Sequence, residues 1–224
     1  MNRNTGFQFG RSGLSSSATG NNQKTGVFDF IWDYSIRLAA SISLLCFLPI
    51  FAVLWVYFKC TDPGPMFFKQ SRPGYKGESF TIYKVRTMRL GAEKKTALGT
   101  QNGSSEVTKI GRILRKLKID EAPQLLNIIR GDMAIVGPRP IPEKLDAELK
   151  KHIPGFETRY TVKPGLTSIG QICVNENALG DALVKDWSLR FEGELHYIRH
   201  KSVGYDLVLI GMTAAYVFKK LLSR

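Results

Sequence analysis

Apolar residues fall along this chain in one long block, one shorter block and several periodic stripes between them. The long block, Leu38 to Phe58, reads LAASISLLCFLPIFAVLWVYF, 21 residues without a charge. As a helix it would rise about 1.5 Å per residue, enough for roughly 30 Å of hydrocarbon. The pattern therefore predicts a membrane segment rather than a buried core helix. Pro49 sits at its centre, where a missing N–H and a clash with the preceding turn predict a kink. Basic residues flank both ends: Arg3, Arg11, Lys24 and Arg37 before it, Lys59, Lys69, Arg72 and Lys76 after it. A simple span would leave one basic flank outside. A re-entrant segment, entering and leaving on one face, keeps both flanks beside anionic lipid. The re-entrant reading is preferred over the span.

Before this block, residues 1–26 are rich in Ser, Gly, Asn and Thr and predict a disordered tail. After it, Thr61-Asp62-Pro63-Gly64-Pro65 is a turn cluster. Met66–Gln70 and Phe80–Val85 alternate as short strands, with Gly74 and Gly77 marking a turn between them. Leu90–Val107 is polar and loop-like. Thr108–Lys118 places Ile110, Ile113, Leu114 and Leu117 on one helical stripe, an ordinary core-facing helix with a basic outer face. A second helix is expected from Asp120, with Asp120 as N-cap, Pro123 in the first turn and Gly131 as the C-terminal stop. Gly137-Pro138-Arg139-Pro140 is a stiff turn that fixes the direction of Arg139. Pro142–His152 reads as helix, and Tyr160–Val174 as strand and turn. The shorter apolar run, Leu207–Phe218, is too short to span, and Lys219, Lys220 and Arg224 follow it. An interfacial helix over Asp206–Leu222 and a buried amphipathic helix fit it equally.

Composition narrows the class. The chain has 224 residues and carries 32 Lys and Arg against 19 Asp and Glu, a formal charge of +13. That excess implies an anionic partner: nucleic acid, lipid or a phosphorylated substrate. A mean hydropathy of −0.12 excludes a polytopic membrane protein. Cys46, Cys60 and Cys173 are too few and too far apart for a disulfide framework or a zinc site. Lys59 to Arg130 holds 15 Lys and Arg against 6 Asp and Glu, so +9 of the excess lies in one third of the chain.

Within that block, Asp120 and Glu121 are adjacent carboxylates at a predicted helix start, just after Arg112, Arg115, Lys116 and Lys118. The helix dipole and the neighbouring cations are expected to keep both ionised near neutral pH. Such a pair serves as plain N-capping, or it holds Mg²⁺ against substrate phosphates. Lys84 and Arg86 in KVRTM, and Arg139 in GPRP, add cations on segments that should be rigid. No P-loop or dinucleotide fingerprint is present.

KVRTM (84–88), TKIGRILRKLKIDEAPQLLNIIRGDMAIVGPRP (108–140) and VKPGLTSIGQ (162–171) together resemble the bacterial sugar transferases called monotopic phosphoglycosyl transferases. The likeness covers roughly Val27 to Leu222. It implies an α/β fold, mainly helical with a small sheet, carried by an N-terminal re-entrant helix–break–helix (27–60) and C-terminal interfacial helices. It places a cytosolic catalytic domain (61–224) on the cytoplasmic face of the bacterial inner membrane. The implied reaction moves a sugar-1-phosphate from a nucleoside diphosphate sugar, usually a UDP-sugar, to polyprenyl (undecaprenyl) phosphate, and it initiates polysaccharide or glycoconjugate assembly. By the resemblance, Asp120 is the nucleophile of a covalent phosphosugar intermediate, and Glu121 assists the Mg²⁺ site or proton handling. Lys84, Arg86, Arg112, Arg115 and Arg139 are the candidate phosphate-binding cations. A homodimer is compatible with the exposed membrane surface.

Three departures from the family pattern stand out. Leu48-Pro49 replaces the usual Ser-Pro at the membrane break, Ala122 replaces the Leu usual after the Asp-Glu pair, and His196 stands at a position where the terminal block usually has Tyr. The rival reading is a membrane-anchored, basic nucleic-acid-binding protein without catalysis. It would want aromatic residues interleaved with the basic ones or a recognisable binding motif, and neither is evident.

Overall fold

The computed structural model describes residues 27–92, 105–173 and 181–222. The expected disordered tail, most of the 90–107 loop and the stretch 174–180 lie outside the described residues. The long apolar block forms the centre of one helix, α1 (Val27–Thr61), with Pro49 inside it. Its helical assignment is unbroken at Pro49, so the expected helix–break–helix is a single helical element here. α1 is long and apolar enough to cross a membrane.

One face of α1 is protein core. Ala40, Leu44, Phe47, Phe51, Leu54 and Phe58 recur at spacings of four and three residues, which keeps them on one stripe. Ala40, Phe51, Leu54 and Phe58 are buried, and Leu44 and Phe47 pack beside them. Toward the C-terminal half the stripe meets Val85, Leu114 and Ala122. Toward the N-terminal half it meets Ile82, Leu125, Ile128 and Met133. Each buried Phe or Leu here contributes about 1.5–3 kcal/mol. The opposite face leaves Leu38, Ile42, Leu45, Leu48, Val53 and Val56 exposed.

The rest of the chain builds outward from this stripe. β1 (Phe67–Pro73) and β2 (Ser79–Val85) form an antiparallel hairpin, with Phe67 opposite Val85 and Pro73 opposite Ser79. A 3-10 turn at Tyr75–Gly77 joins them, as the two glycines predicted. α2 (Lys109–Lys116) is capped by Thr108, whose side chain accepts from Gly111 N–H at 3.0 Å. The expected second helix starts later than predicted. Ile119–Gln124 is a 3-10 turn entered through Lys118 in the left-handed region (φ 59°), and the α-helix proper, α3, is Leu125–Arg130. Asp120 is therefore not its N-cap; it lies inside a buried turn. Gly131 ends α3 with φ 88°, as expected.

β3 (Ala134–Val136) pairs in parallel with β4 (Gly165–Thr167), a second two-stranded sheet. Between them α4 (Glu143–His152) has acidic residues in its first turn and basic ones in its last, complementing the helix dipole. Ile169–Cys173 is a short helix, α5, where strand and turn were expected. α6 (Asp181–His200) has no counterpart in the sequence reading; it packs Trp187 and Phe191 against Leu145, Leu149 and Phe156. α7 (Val203–Leu222) buries Leu209 and exposes Leu207, Val208, Phe218 and Leu222, an amphipathic helix with an uncovered apolar face. The described fold is thus mostly helical with a small amount of sheet.

Gly111 sets the approach of α2 to the chain after β2. A Cβ there would lie 2.0 Å from the Thr87 carbonyl oxygen, a backbone atom that cannot swing away. Gly111→Ala is expected to cost about 1–3 kcal/mol through this overpacking. A melting temperature in detergent equal to that of the parent protein would show that α2 can move without penalty.

Candidate active site

The 3-10 turn after α2 carries Asp120 and Glu121 into the interior, where both are buried. Ala122, the next residue, packs into the cluster formed by Phe51, Leu54 and Phe58 of α1. A buried carboxylate must find compensating charge, and Glu121 has it on several sides. Its Oε1 accepts from Lys84 Nζ at 3.1 Å and from Arg139 Nη2 at 2.9 Å. Lys118 Nζ lies 4.0 Å from Oε2. Burial pushes the Glu121 carboxyl up, but Arg139, then Lys84 and Lys118, outweigh it together and hold it well below the usual carboxylate range.

Asp120 behaves in the opposite way. Burial pushes its carboxyl up, the Glu121 charge adds to that, and the opposing pull of Lys84, Lys118 and Arg115 is smaller. The expectation that both groups would be depressed therefore holds for Glu121 and fails for Asp120. The physical reason is that Glu121 takes the close cations and then repels its neighbour. Asp120 Oδ1 is buried and has no hydrogen-bond partner among the described residues.

Of the cations predicted from sequence, three come to the pair. Lys84 arrives on β2 and Arg139 on the Gly-Pro-Arg-Pro turn. Arg115, on the last turn of α2, donates from Nε to Thr87 Oγ1 at 2.9 Å and acts electrostatically on Asp120. Two others lie elsewhere. Arg86 is buried against Asp62, with its guanidinium 4.8 Å from the centre of the Phe58 ring, and it locks the end of β2 to the end of α1. Arg112 is exposed on α2. Its side chain has no bond to the pair among the described residues.

Arg72 and Lys118 belong to the cluster and were not predicted as site residues. Arg72 shares a face of the β1–β2 hairpin with Lys84, because its partner Phe80 is four residues from Lys84. It donates to Gln70 Oε1 at 2.8 Å and to the Pro140 carbonyl, beside Arg139. Strand parity was the signal that could have found it. Lys118 is placed by its own left-handed backbone. Five cations therefore surround two carboxylates.

Arg139 is held at both of its peptide groups. Its N–H donates to Glu194 Oε1 at 3.1 Å, and its carbonyl accepts from Arg159 Nη2 at 2.7 Å. Arg159 also donates to Glu194 Oε1 at 3.0 Å, closing a buried ring of three groups. The Gln171 amide, oriented with its oxygen toward Arg139, accepts from Arg139 Nε at 3.2 Å.

The family described as bacterial sugar transferase matches residues 28–220. A UDP-N-acetylgalactosamine-undecaprenyl-phosphate N-acetylgalactosaminephosphotransferase of Aeromonas hydrophila is 34% identical over 176 residues, 79% of this chain and 41% of its own length. A UDP-glucose:undecaprenyl-phosphate glucose-1-phosphate transferase of Caulobacter vibrioides is 36% identical over 173 residues, 77% of this chain and 64% of its own. The exopolysaccharide production protein ExoY of Rhizobium meliloti is 35% identical over 191 residues, 79% of this chain and 80% of its own. The chain thus spans less than two thirds of the length of the first two relatives.

The ring around Arg139 can be tested on stability alone. Glu194→Ala leaves the Arg159 guanidinium buried without its counter-charge and is expected to cost about 3–5 kcal/mol. Glu194→Gln keeps an acceptor and should cost less. Urea midpoints for the two variants that fall in the reverse order would contradict this charge-compensation account.

Proposed function

Because the chain belongs to the bacterial sugar transferase family, we propose that it transfers a sugar-1-phosphate from a UDP-sugar to undecaprenyl phosphate, releasing UMP. The observation that carries the proposal is the buried Asp120–Glu121 pair among five cations, with one Asp120 oxygen unpartnered. Two carboxylates leave three positive charges in excess in that cluster. A nucleoside diphosphate brings negative charge that this excess can accept. Arg139 and Arg72 suit phosphate oxygens by their forked donors, and Lys84 serves as a point charge.

Asp120 is the nucleophile in this reading. Its carboxylate oxygen attacks the phosphorus that bears the sugar. The bond from that phosphorus to the UMP oxygen breaks, and UMP leaves with the electron pair. An oxygen of the lipid phosphate then attacks the phosphorus of the Asp120 phosphosugar, breaking the acyl-phosphate bond and restoring the carboxylate. Two steps through one site let a water-soluble donor and a lipid acceptor take turns there. The elevated Asp120 pKa makes its carboxylate more basic than an exposed one, while the surrounding cations offset the repulsion from the donor.

The residues fit Mg²⁺. Asp120 Oδ1 lacks a partner among the described residues and Glu121 Oε2 has Lys118 Nζ 4.0 Å away, so one oxygen of each could serve as a hard ligand. Mg²⁺ usually takes one or two carboxylates and completes its shell with water and substrate phosphates. When bound, it would neutralise the diphosphate charge.

The docking of α1 supports a monotopic, re-entrant placement at the cytoplasmic face of the inner membrane. The domain packs along α1 from Ala40 to Phe58, about 27 Å of helix at 1.5 Å per residue. A perpendicular span would carry the buried charges of the domain into hydrocarbon, where they are costly. A re-entrant placement requires α1 to bend at Pro49, where a proline favours a kink, and a helix bent there would keep the domain at the surface. It leaves the exposed apolar faces of α1 and α7 to the lipid.

The sugar is open, since the relatives are named for both glucose and N-acetylgalactosamine. The name of the ExoY relative supports exopolysaccharide assembly as a pathway this chain could initiate.

With undecaprenyl phosphate, Mg²⁺ and a panel of UDP-sugars, the purified chain should release UMP with one preferred donor, and EDTA should stop it. Asp120→Asn should reduce that release at least 10³-fold, in line with loss of a covalent nucleophile. UMP release near the parent rate in this variant removes Asp120 from the nucleophile role. For topology, Val27→Cys and Pro65→Cys, in a background with Cys46, Cys60 and Cys173 replaced by Ser, should be labelled from the same face of sealed vesicles. Labelling from opposite faces establishes a span.

A further inference from the structure

The departure at His196 has a structural counterpart. His196 and His200 lie four residues apart on the last turn of α6, so their side chains share one face. Their ring centroids are 4.3 Å apart with the planes inclined by 29°. Both residues are exposed, while Glu194 and Tyr197 on the same helix are buried. The pair is therefore separate from the ring that holds Arg139.

We propose that His196 and His200 together bind a divalent transition-metal ion of the zinc, nickel or copper class at the elbow between α6 and α7. The hydrogen bonds of the two rings support this. His200 Nδ1 lies 2.9 Å from the His196 carbonyl oxygen. A carbonyl only accepts, so Nδ1 carries the proton and the lone pair of the neutral ring sits on Nε2. His196 Nδ1 lies 3.3 Å from the Tyr205 hydroxyl of α7, which can accept from it in the same way. Neither Nε2 has a partner among the described residues. Metal-binding imidazoles commonly donate their second nitrogen to a backbone carbonyl or another oxygen, which fixes tautomer and ring orientation. Both rings have such an oxygen.

The chemistry of the pair selects the ion. Imidazole nitrogen suits zinc, nickel and copper, whereas Mg²⁺ prefers oxygen. The site would not compete for the Mg²⁺ of the proposed reaction, and it stands whether or not that reaction is correct. Two protein ligands leave the remaining positions to water, so the ion should exchange with solution. Because Tyr205 belongs to α7, an ion on His196 would also stiffen the junction between α6 and the helix with the uncovered apolar face.

The test is calorimetric titration of the full chain with Ni²⁺ in detergent, after removal of any affinity tag and treatment with EDTA. The parent should bind one equivalent, unaffected by a large excess of Mg²⁺, and its melting temperature should rise as Ni²⁺ is added. His196→Ala and His200→Ala should each lose both the binding step and the thermal shift while melting like the metal-free parent. Both side chains are exposed, so folding should survive. Undiminished Ni²⁺ binding in both variants, as free thiols such as Cys46 or Cys60 would give, overturns the proposal. So does the absence of saturable binding in the parent.

Discussion

Everything in this structure depends on α1 being apolar on all sides while only one side can be covered by protein. The stripe from Ala40 to Phe58 is the inner wall of two core clusters, and among the described residues the remaining face has no protein against it. The hairpin, α2, α3 and the carboxylate turn all pack onto that stripe. Ala122 belongs to the same cluster as Phe51, Leu54 and Phe58, one residue from Glu121. The carboxylate turn is thus seated directly on the long apolar helix, and the position of one sets the position of the other.

The electrostatics follow from that seating. Burying a carboxylate pair against apolar helix residues is unfavourable unless charge is returned to it. The fold returns it unequally. Glu121 takes the direct contacts with Lys84 and Arg139, and Asp120 keeps an unpartnered oxygen beside it. Two adjacent residues of similar chemistry are pushed in opposite directions, which is how sites divide roles between carboxyl groups. The neighbouring ring of Glu194, Arg159 and the Arg139 peptide groups does the complementary work on the backbone. It fixes where Arg139 starts, and the Glu121 contact fixes where its guanidinium ends.

How much of this was legible in the sequence varied with the physics of each element. The hairpin, α2, α4 and the Gly131 stop were readable because alternation, amphipathic spacing and capping are local signals. The acidic pair and three of its cations were readable from motif and charge grouping. The docking stripe of α1 was hidden, since residues on both of its faces are equally apolar. α6 was missed because its buried side carries Arg190 and Glu194 among Trp187, Phe191 and Tyr197, which breaks the expected apolar period. The opposed shifts of Asp120 and Glu121 depend on which carboxylate the cations reach first, and that is decided by contacts distant in sequence. Arg86 looked like a site cation because it lies two residues from Lys84. β2 ends at Val85, so Arg86 has left the strand that carries Lys84 to the pair, and it ends against Phe58 and Asp62.

The shared core of α1 and the domain has a consequence for how the molecule can be handled. A tether can be cut from what it holds, but α1 is not a tether. Removing it would strip the cover from Ile82, Val85, Leu114, Leu125, Ile128 and Met133 at once, a patch spread over the hairpin, two helices and the turn after α3. Such a surface has no reason to stay folded in water. α1 and the elements packed on it are therefore a single cooperative unit, and a water-soluble fragment is not obtained by trimming the chain at Thr61.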